Sequence, residues 1–132
     1  MNTTLLSIGE LARHCHLSTH TLRYYESEGV LRPALRAPNG HRRYREDDVQ
    51  WLAFVLRLKQ TGMPLQEIRH YADLRAQGNS TLCHRLAMLA QHRERLTQQL
   101  LALSTSAEVL DAKMDLYRKQ IEAMPTPPKE AT

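Results

Sequence analysis

The chain has few of the residues that mark disulfide-rich or metal-binding proteins. Its 132 residues include two cysteines, Cys15 and Cys83, and only 5% of the sequence is aromatic. Two cysteines without a Cys-x-x-Cys pair exclude a disulfide framework and a zinc knuckle. Because aromatic side chains are scarce, aliphatic residues must fill most of a modest core. The length predicts one domain, or a small domain with an appendage.

Membrane, secretion and catalytic signals are absent as well. No apolar run reaches the length of a membrane span, and the first ten residues lack the apolar core of a signal peptide. We therefore expect a cytoplasmic protein that does not bind a membrane. The sequence contains no glycine-rich phosphate loop, no carboxylate pair in an apolar setting and no Ser-His-Asp pattern, so we expect neither an enzyme nor a cofactor.

The basic residues are concentrated in one short stretch. The formal net charge is +4 and the sequence pI is about 9.3. This mild excess suits an anionic partner, although a run of charge is also the ordinary sign of a solvated face. The cationic cluster in the N-terminal half comprises Arg32, Arg36, Arg42, Arg43 and Arg45.

Two short helices are predicted before this cluster. Ser7 and Glu10 match a capping box, and Ser18 is suited to cap a second helix that runs to Glu28. Leu22 and Tyr25 can face inward at helical spacing. The outward side chains carry groups that contact base edges and phosphates; they are Thr19, His20, Arg23 and Tyr24. A tight connection makes the pair a helix-turn-helix candidate, with an ordinary helical hairpin as the alternative.

A basic hairpin is predicted next, in residues 31–44. Asn39-Gly40 is a strong signal for a tight turn, and arginines flank it on both sides. Such a hairpin after a helix-turn-helix is interpreted as a wing that lies along the nucleic-acid backbone; the alternative is an exposed basic loop. Acidic residues at 46–48 then begin a third helix, and Pro64 begins a fourth.

The C-terminal part predicts one long helix. Apolar residues follow a 4-3 spacing from Leu82, which favours a coiled coil with a second copy of the chain, since a helix this long outreaches a domain of this size. Arg93 interrupts the seam, and Ser104-Thr105-Ser106 marks a place where the helix would bend or break. The seam comprises Leu82, Leu86, Leu89, Arg93, Leu96, Leu100, Leu103, Ala107, Leu110, Met114, Tyr117 and Ile121.

In its motifs and their order, the sequence resembles the MerR family of transcriptional regulators. The resemblance is carried by Ile8-Gly9-Glu10-Leu11-Ala12, Thr21-Leu22-Arg23-Tyr24-Tyr25-Glu26-Ser27-Glu28-Gly29-Val30-Leu31, Asn39-Gly40-His41-Arg42-Arg43-Tyr44 and Leu58-Lys59-Gln60-Thr61-Gly62-Met63-Pro64-Leu65. It implies a mostly α chain. A winged helix-turn-helix DNA-binding domain would occupy residues 1–78, a dimerisation helix forming an antiparallel coiled coil 79–123, and a disordered tail 124–132.

The resemblance also implies a mechanism. Members of the family bind a pseudo-palindrome in a bacterial promoter as homodimers, where an overlong spacer prevents RNA polymerase from engaging both promoter elements. Effector binding lets the dimer distort the spacer and activate transcription. Carried over to this sequence, the expected DNA contacts are Thr19 and His20 near base edges, Arg23, Tyr24, Arg42, Arg43 and Tyr44 on the backbone, and Lys59, paired with Tyr24, at the distorted centre.

The effector is the least determined feature. Cys83 and His84 lie near the start of the long helix, but the cysteine-rich loop of metal-sensing relatives is missing, and one sulfur per subunit is too little for a tight soft-metal site. Cys83 would alternatively be a reactive thiol that senses an electrophile, its pKa lowered by the helix start, His84 and Arg85. A third interpretation is that Cys83 only packs and the effector is a small organic molecule. A plain repressor or architectural protein without an effector, and a coiled-coil adaptor for acidic proteins, also stay open.

Overall fold

The structure, a computed structural model, describes residues 5–33, 35–36, 38 and 40–125. Within those residues the chain is mostly helical, as predicted, with an N-terminal helix-turn-helix and a long C-terminal helix. A short 3-10 turn at Asn79–Thr81 precedes the last helix. The other elements, in chain order, are β1 (Leu5–Leu6), α1 (Ile8–Cys15), α2 (Thr19–Ser27), β2 (Leu35–Arg36), β3 (Arg42–Arg45), α3 (Asp47–Gln60), α4 (Leu65–Ala76) and α5 (Leu82–Glu122).

The first two helices begin at the hydroxyl residues that the sequence indicates. The Glu10 amide donates to Ser7 Oγ at 3.1 Å, and the Ser7 amide donates to Glu10 Oε1 at 2.8 Å, which completes the predicted capping box. Ser18 Oγ accepts from the Thr21 amide at 3.0 Å and caps α2. Between the helices His16 adopts a left-handed conformation with φ 56°, and this turn redirects the chain.

The wing is a small antiparallel sheet in the strand order β1-β3-β2. Pairing of Arg36 with Arg42 confirms the predicted hairpin. Asn39 of the predicted turn lies outside the described residues. Pairing of Leu6 with Tyr44 adds β1 to the sheet, which the sequence did not predict. Because β3 is central, it is hydrogen-bonded on both edges, and this holds the wing against the N-terminal segment.

One core joins the helix-turn-helix, the wing and the α3–α4 pair. Trp51 is buried in it and donates its indole N–H to the Val30 carbonyl at 2.8 Å. The Trp51 and Tyr71 rings stack with centroids 5.7 Å apart. The fully buried members with the largest side chains are Tyr25, Tyr44, Leu11, Leu22, Leu31, Leu52, Ile68, Val30 and Val55.

The chain divides into two compact units, residues 1–90 and 91–132. The boundary between these units lies within α5, and Met88 and Leu89 pack against the core of the first unit. Residues 126–132 of the predicted tail lie outside the described residues.

The α5 helix runs without a break through residues 104–106. The Thr105 hydroxyl donates to the Leu101 carbonyl at 3.0 Å, which keeps this polar side chain within the helical hydrogen-bond pattern. In the second unit the apolar seam residues from Leu100 to Ile121 are exposed on the single chain. None of the helices in the described part of the chain has both the length and the apolar character needed to cross a bilayer.

Candidate nucleic-acid interface

Helix α2 has one face in the core and one in solvent. Leu22 and Tyr25 are buried, as their helical spacing predicted. His20, Arg23 and Tyr24 are exposed, and Thr19 is half-buried next to the capped end of the helix. The helix therefore presents an imidazole, a guanidinium and a phenol to solvent. These are groups that donate hydrogen bonds to base edges and phosphates.

The two adjacent tyrosines of α2 have different surroundings. Tyr25 is buried, and its hydroxyl accepts a hydrogen bond from Lys59 Nζ at 3.1 Å. The same ammonium lies 5.2 Å from the centroid of the Tyr25 ring. The resemblance places Tyr24 and Lys59 together at the distorted centre of the DNA, which stays a prediction; within the protein, the Lys59 ammonium contacts Tyr25. Tyr24 is 47% exposed, and its ring lies 6.0 Å from that of Tyr25.

The wing and the recognition helix enclose a cavity of about 220 Å³. Of the residues predicted to contact DNA, this cavity brings together one from α2 and three from β3. Since three of those four carry a guanidinium, the cavity wall is cationic, and such a surface attracts a phosphate backbone. The residues that line it are Ser7, Ile8, Arg23, Gly40, His41, Arg42, Arg43 and Tyr44.

Tyr44, which was expected to contact the DNA backbone, is buried in the structure. Its side chain is fully buried and its hydroxyl donates a hydrogen bond to Glu26 Oε1. Burial, followed by the hydrogen bond to Glu26, raises the pKa of this phenol well above its usual value. With its side chain buried and its hydroxyl already donating to Glu26, Tyr44 is poorly placed to bind a phosphate. We therefore assign its side chain to the support of the wing.

Glu26 is the functional residue that sequence reasoning missed. Its second carboxylate oxygen, Oε2, accepts from Arg42 Nε at 2.9 Å, so one carboxylate binds two residues of β3. A signal was available, because Glu26 lies one helical turn after Leu22 and therefore at the edge of the buried face. A carboxylate at such an edge requires partners.

The candidate effector residues lie apart from this arrangement in the sequence. Cys83 is exposed, as is His84 beside it, in the first turn of α5. Cys15 differs, because it is half-buried against the core and burial raises the pKa of its thiol. In the part of the chain that the structure describes, no three or more His, Cys, Asp or Glu side chains are grouped so as to hold a metal ion.

A larger cavity, of about 440 Å³, lies in the same unit but contains none of the predicted DNA-binding or effector residues. Asp48 lines it and is buried. Its carboxylate accepts a hydrogen bond from the Arg45 amide at 3.0 Å. Burial raises the pKa of this carboxyl group, and the Arg45 hydrogen bond and nearby Arg75 only partly oppose the rise. Asp48 is the second residue of α3, and its contact with the Arg45 amide joins the first turn of the helix to the end of β3, which indicates a structural role.

Comparison with known proteins agrees with this geometry. The family described as "MerR HTH family regulatory protein" matches residues 6–74, and the family described as "MerR, DNA binding" matches residues 49–113. An uncharacterised HTH-type transcriptional regulator of Haemophilus influenzae is 33% identical over 103 residues, which cover 78% of this chain and 76% of that protein. The HTH-type transcriptional regulator AdhR of Bacillus subtilis is 32% identical over 93 residues, covering 70% of this chain and 66% of AdhR.

A solved structure resembles the chain over most of its length. It is the crystal structure of HiNmlR, a MerR family regulator lacking the sensor domain, bound to promoter DNA. It has a TM-score of 0.72 and 30% sequence identity, and it covers 88% of this chain and 92% of that chain. Since a family match spans more than half of the sequence and begins at the capping box of α1, the chain belongs to the MerR family of helix-turn-helix transcriptional regulators.

Proposed function

We propose that this protein is an effector-responsive transcriptional regulator. As a homodimer, it binds a pseudo-palindromic promoter and activates transcription by distorting the promoter spacer. The observation that carries the proposal is the cationic cavity in which Arg23 of α2 meets Arg42 and Arg43 of the wing. The recognition helix supplies contacts in the major groove, and the wing supplies contacts to the adjacent backbone.

Double-stranded promoter DNA is the partner best supported. Cationic side chains that neutralise phosphates release counterions, so binding of this kind weakens steeply as salt rises. Binding to DNA also agrees with HiNmlR, whose structure was determined on promoter DNA. Thr19 and His20 would read base edges from the N-terminal turn of α2, while Arg23, Tyr24, Arg42 and Arg43 would contact the backbone. His20, Arg23 and Tyr24 are exposed, and Thr19, Arg42 and Arg43 are half-buried.

The homodimer is inferred from α5. Its apolar seam repeats every 3.5 residues on average, the period of a left-handed coiled coil, and the seam side chains from Leu100 onward are exposed. A long exposed apolar ridge of this kind marks an interaction surface. A two-fold dimer would present two recognition helices, which suits a pseudo-palindromic site.

Activation is assigned to deformation of the DNA. Untwisting and bending a spacer costs energy that depends on sequence, and a regulator that supplies this energy realigns the promoter elements for RNA polymerase. Exposed Tyr24 and Lys59, on α2 and α3, would hold the distorted centre. A plain repressor would occupy the same site without this step, so occupancy alone does not separate the two functions.

Two classes of effector stay open. The exposed thiol of Cys83 favours an electrophile or oxidant, whereas a small organic molecule would leave Cys83 without a role in induction. A thiolate metal site would require sulfur from outside the single chain. Cys83→Ser separates these classes: loss of induction at unchanged DNA affinity supports thiol sensing, and full induction in the variant refutes it.

The test of the proposal is transcription in vitro from the promoter upstream of the protein's own gene, run with metals, aldehydes, oxidants and organic cations. An activator raises transcript yield on effector addition while footprinting shows unchanged occupancy of the promoter. Arg23→Ala should weaken DNA binding, whereas Arg118→Ala, which removes an exposed cation from α5, serves as the control. A chain that binds no duplex in dilute buffer would refute the proposal.

A further inference from the structure

The carboxylate of Glu26 joins the recognition helix to the wing. Its side chain is 11% exposed, and each of its oxygens accepts from a different residue of β3. Oε1 accepts from the Tyr44 hydroxyl, and Oε2 accepts from Arg42 Nε at 2.9 Å. Hydrogen bonds with an ionised partner are roughly twice as strong as neutral ones. The two elements that would touch DNA are therefore fixed to each other through one side chain.

The two β3 partners of Glu26 differ in exposure. Tyr44 is fully buried within the core and forms a ladder pair with Leu6, so its hydroxyl is a fixed reference point. The side chain of Arg42 is 39% exposed and extends from the same strand toward solvent. The contact with Glu26 is made by Nε at 2.9 Å, and a guanidinium has five N–H donors in all. Arg42 can thus be oriented by Glu26 and still donate to a phosphate.

We propose that Glu26 is a positioning residue for DNA recognition, and that it sets the sequence specificity of the interface without touching DNA. The inference rests on the proposed function, since it concerns how that DNA interface works. Phosphate contacts fix the register of a protein on the duplex, and base contacts read the sequence. Glu26 orients Arg42 relative to α2. The phosphate contact of Arg42 and the base-edge contacts of α2 can then form together only when the protein is in one register on the duplex.

This role predicts two opposite effects when the charge of Glu26 is removed. A carboxylate near the DNA backbone repels phosphates, so its neutralisation should leave nonspecific binding unchanged or make it tighter. Loss of the charge-assisted contact lets Arg42 reach phosphates in several registers, which lowers specific binding relative to nonspecific binding. A residue with a merely electrostatic effect would shift both affinities in the same direction.

The experiment uses the full-length chain with Glu26→Gln, and with Glu28→Gln as the matched control. Glu28 lies at the C-terminal end of the same helix and pairs with Arg69 of α4 at 3.2 Å, so its substitution removes an equal charge without affecting the wing. The probes are a duplex recovered from a random library by the wild-type chain and a scrambled duplex of the same composition. Affinities are measured by fluorescence anisotropy over a range of salt concentrations.

We expect Glu26→Gln to lower the ratio of specific to nonspecific affinity about tenfold, the change expected for loss of one charge-assisted hydrogen bond. Glu28→Gln should leave this ratio within about twofold of the wild type. The slope of log affinity against log salt concentration should change by less than about 0.9, the value for one phosphate contact, in either variant. An unchanged ratio in Glu26→Gln, or an equal loss in Glu28→Gln, overturns the assignment of Glu26.

Two further variants keep the inference testable if Glu26→Gln does not fold, as judged by circular dichroism. Tyr44→Phe removes only the hydroxyl donor, and Arg42→Lys keeps the positive charge but removes Nε–H. Both should lower the specificity ratio, and retention of the wild-type ratio in both refutes the role of Glu26. If the wild-type chain recovers no duplex, the proposed function itself fails and this inference fails with it.

Discussion

The exposed seam of α5 allows a sharp test of the proposed homodimer. Leu103 lies on the seam and is 68% exposed on the single chain. Leu101 lies on the same helix and is 58% exposed, but two residues correspond to about 200° around an α-helix, so it lies on the opposite side. We predict that Leu103→Glu dissociates the dimer and that Leu101→Glu does not.

The size of the effect follows from the buried area. Complete burial of a leucine side chain contributes about 1.5–3 kcal/mol. Covering the exposed 68% of Leu103 would thus contribute about 1–2 kcal/mol. A two-fold dimer contains the residue twice, which gives about 2–4 kcal/mol. The dimer dissociation constant of Leu103→Glu should therefore rise roughly 30- to 700-fold, and desolvation of the new carboxylate adds to this increase.

Sedimentation equilibrium over a range of concentrations measures both dissociation constants directly. Circular dichroism checks that each variant retains its helical content, since glutamate has good helix propensity at either position. If Leu103→Glu dimerises as tightly as the wild type, the heptad seam is not the interface. If Leu101→Glu dissociates to the same extent, dimerisation buries both sides of α5, and a simple coiled coil is the wrong description.

Three further predictions concern the first unit. Arg42→Ala should weaken binding to all duplexes and lower the salt slope by about 1, because it removes one phosphate contact; an unchanged slope in anisotropy titrations would exclude that contact. Trp51→Phe should lower the free energy of unfolding by about 2–3 kcal/mol in urea, because it leaves the Val30 carbonyl without its donor and opens space in the core. Burial raises the pKa of Asp48, so the folded state binds its proton more readily than the unfolded chain. As the pH falls from above the folded-state pKa of Asp48 toward the usual aspartate value, the unfolding free energy of the wild type should rise relative to that of Asp48→Asn. A difference between the two proteins that does not change with pH would contradict the raised pKa of Asp48.

The parts of the fold set by local sequence could be predicted. Ser7 with Glu10 and Ser18 with Thr21 are three residues apart, so the chemistry that starts α1 and α2 lies within one helical turn. The inward and outward faces of α2 follow from the 3.6-residue period in the same way. These features depend on near neighbours alone, which is why pattern and structure agree there.

Contacts between distant residues could not be predicted. Strand β1 is two residues long and acquires its conformation only by pairing with β3. Glu26 and Tyr44 are eighteen positions apart in the sequence, and no periodicity relates them. The pairing of Lys59 with Tyr25 likewise joins residues 34 positions apart, so it depends on the tertiary fold. The unbroken course of α5 past residue 104 shows the converse, because its long helical context outweighs the low propensity of three hydroxyl residues.

The position of α2 is determined by a few contacts of unequal strength. Burial of Leu22 and Tyr25 contributes about 1.5–3 kcal/mol each, whereas the half-exposed pair of Glu28 with Arg69 contributes at most about 1 kcal/mol. Apolar burial therefore fixes the helix in the unit, and the surface pair adds little. Apolar packing does not, however, orient the half-exposed guanidinium of Arg42, because that side chain leaves the core. Only a polar contact can do this, and the carboxylate of Glu26, largely removed from water, makes it where solvent screening is weak.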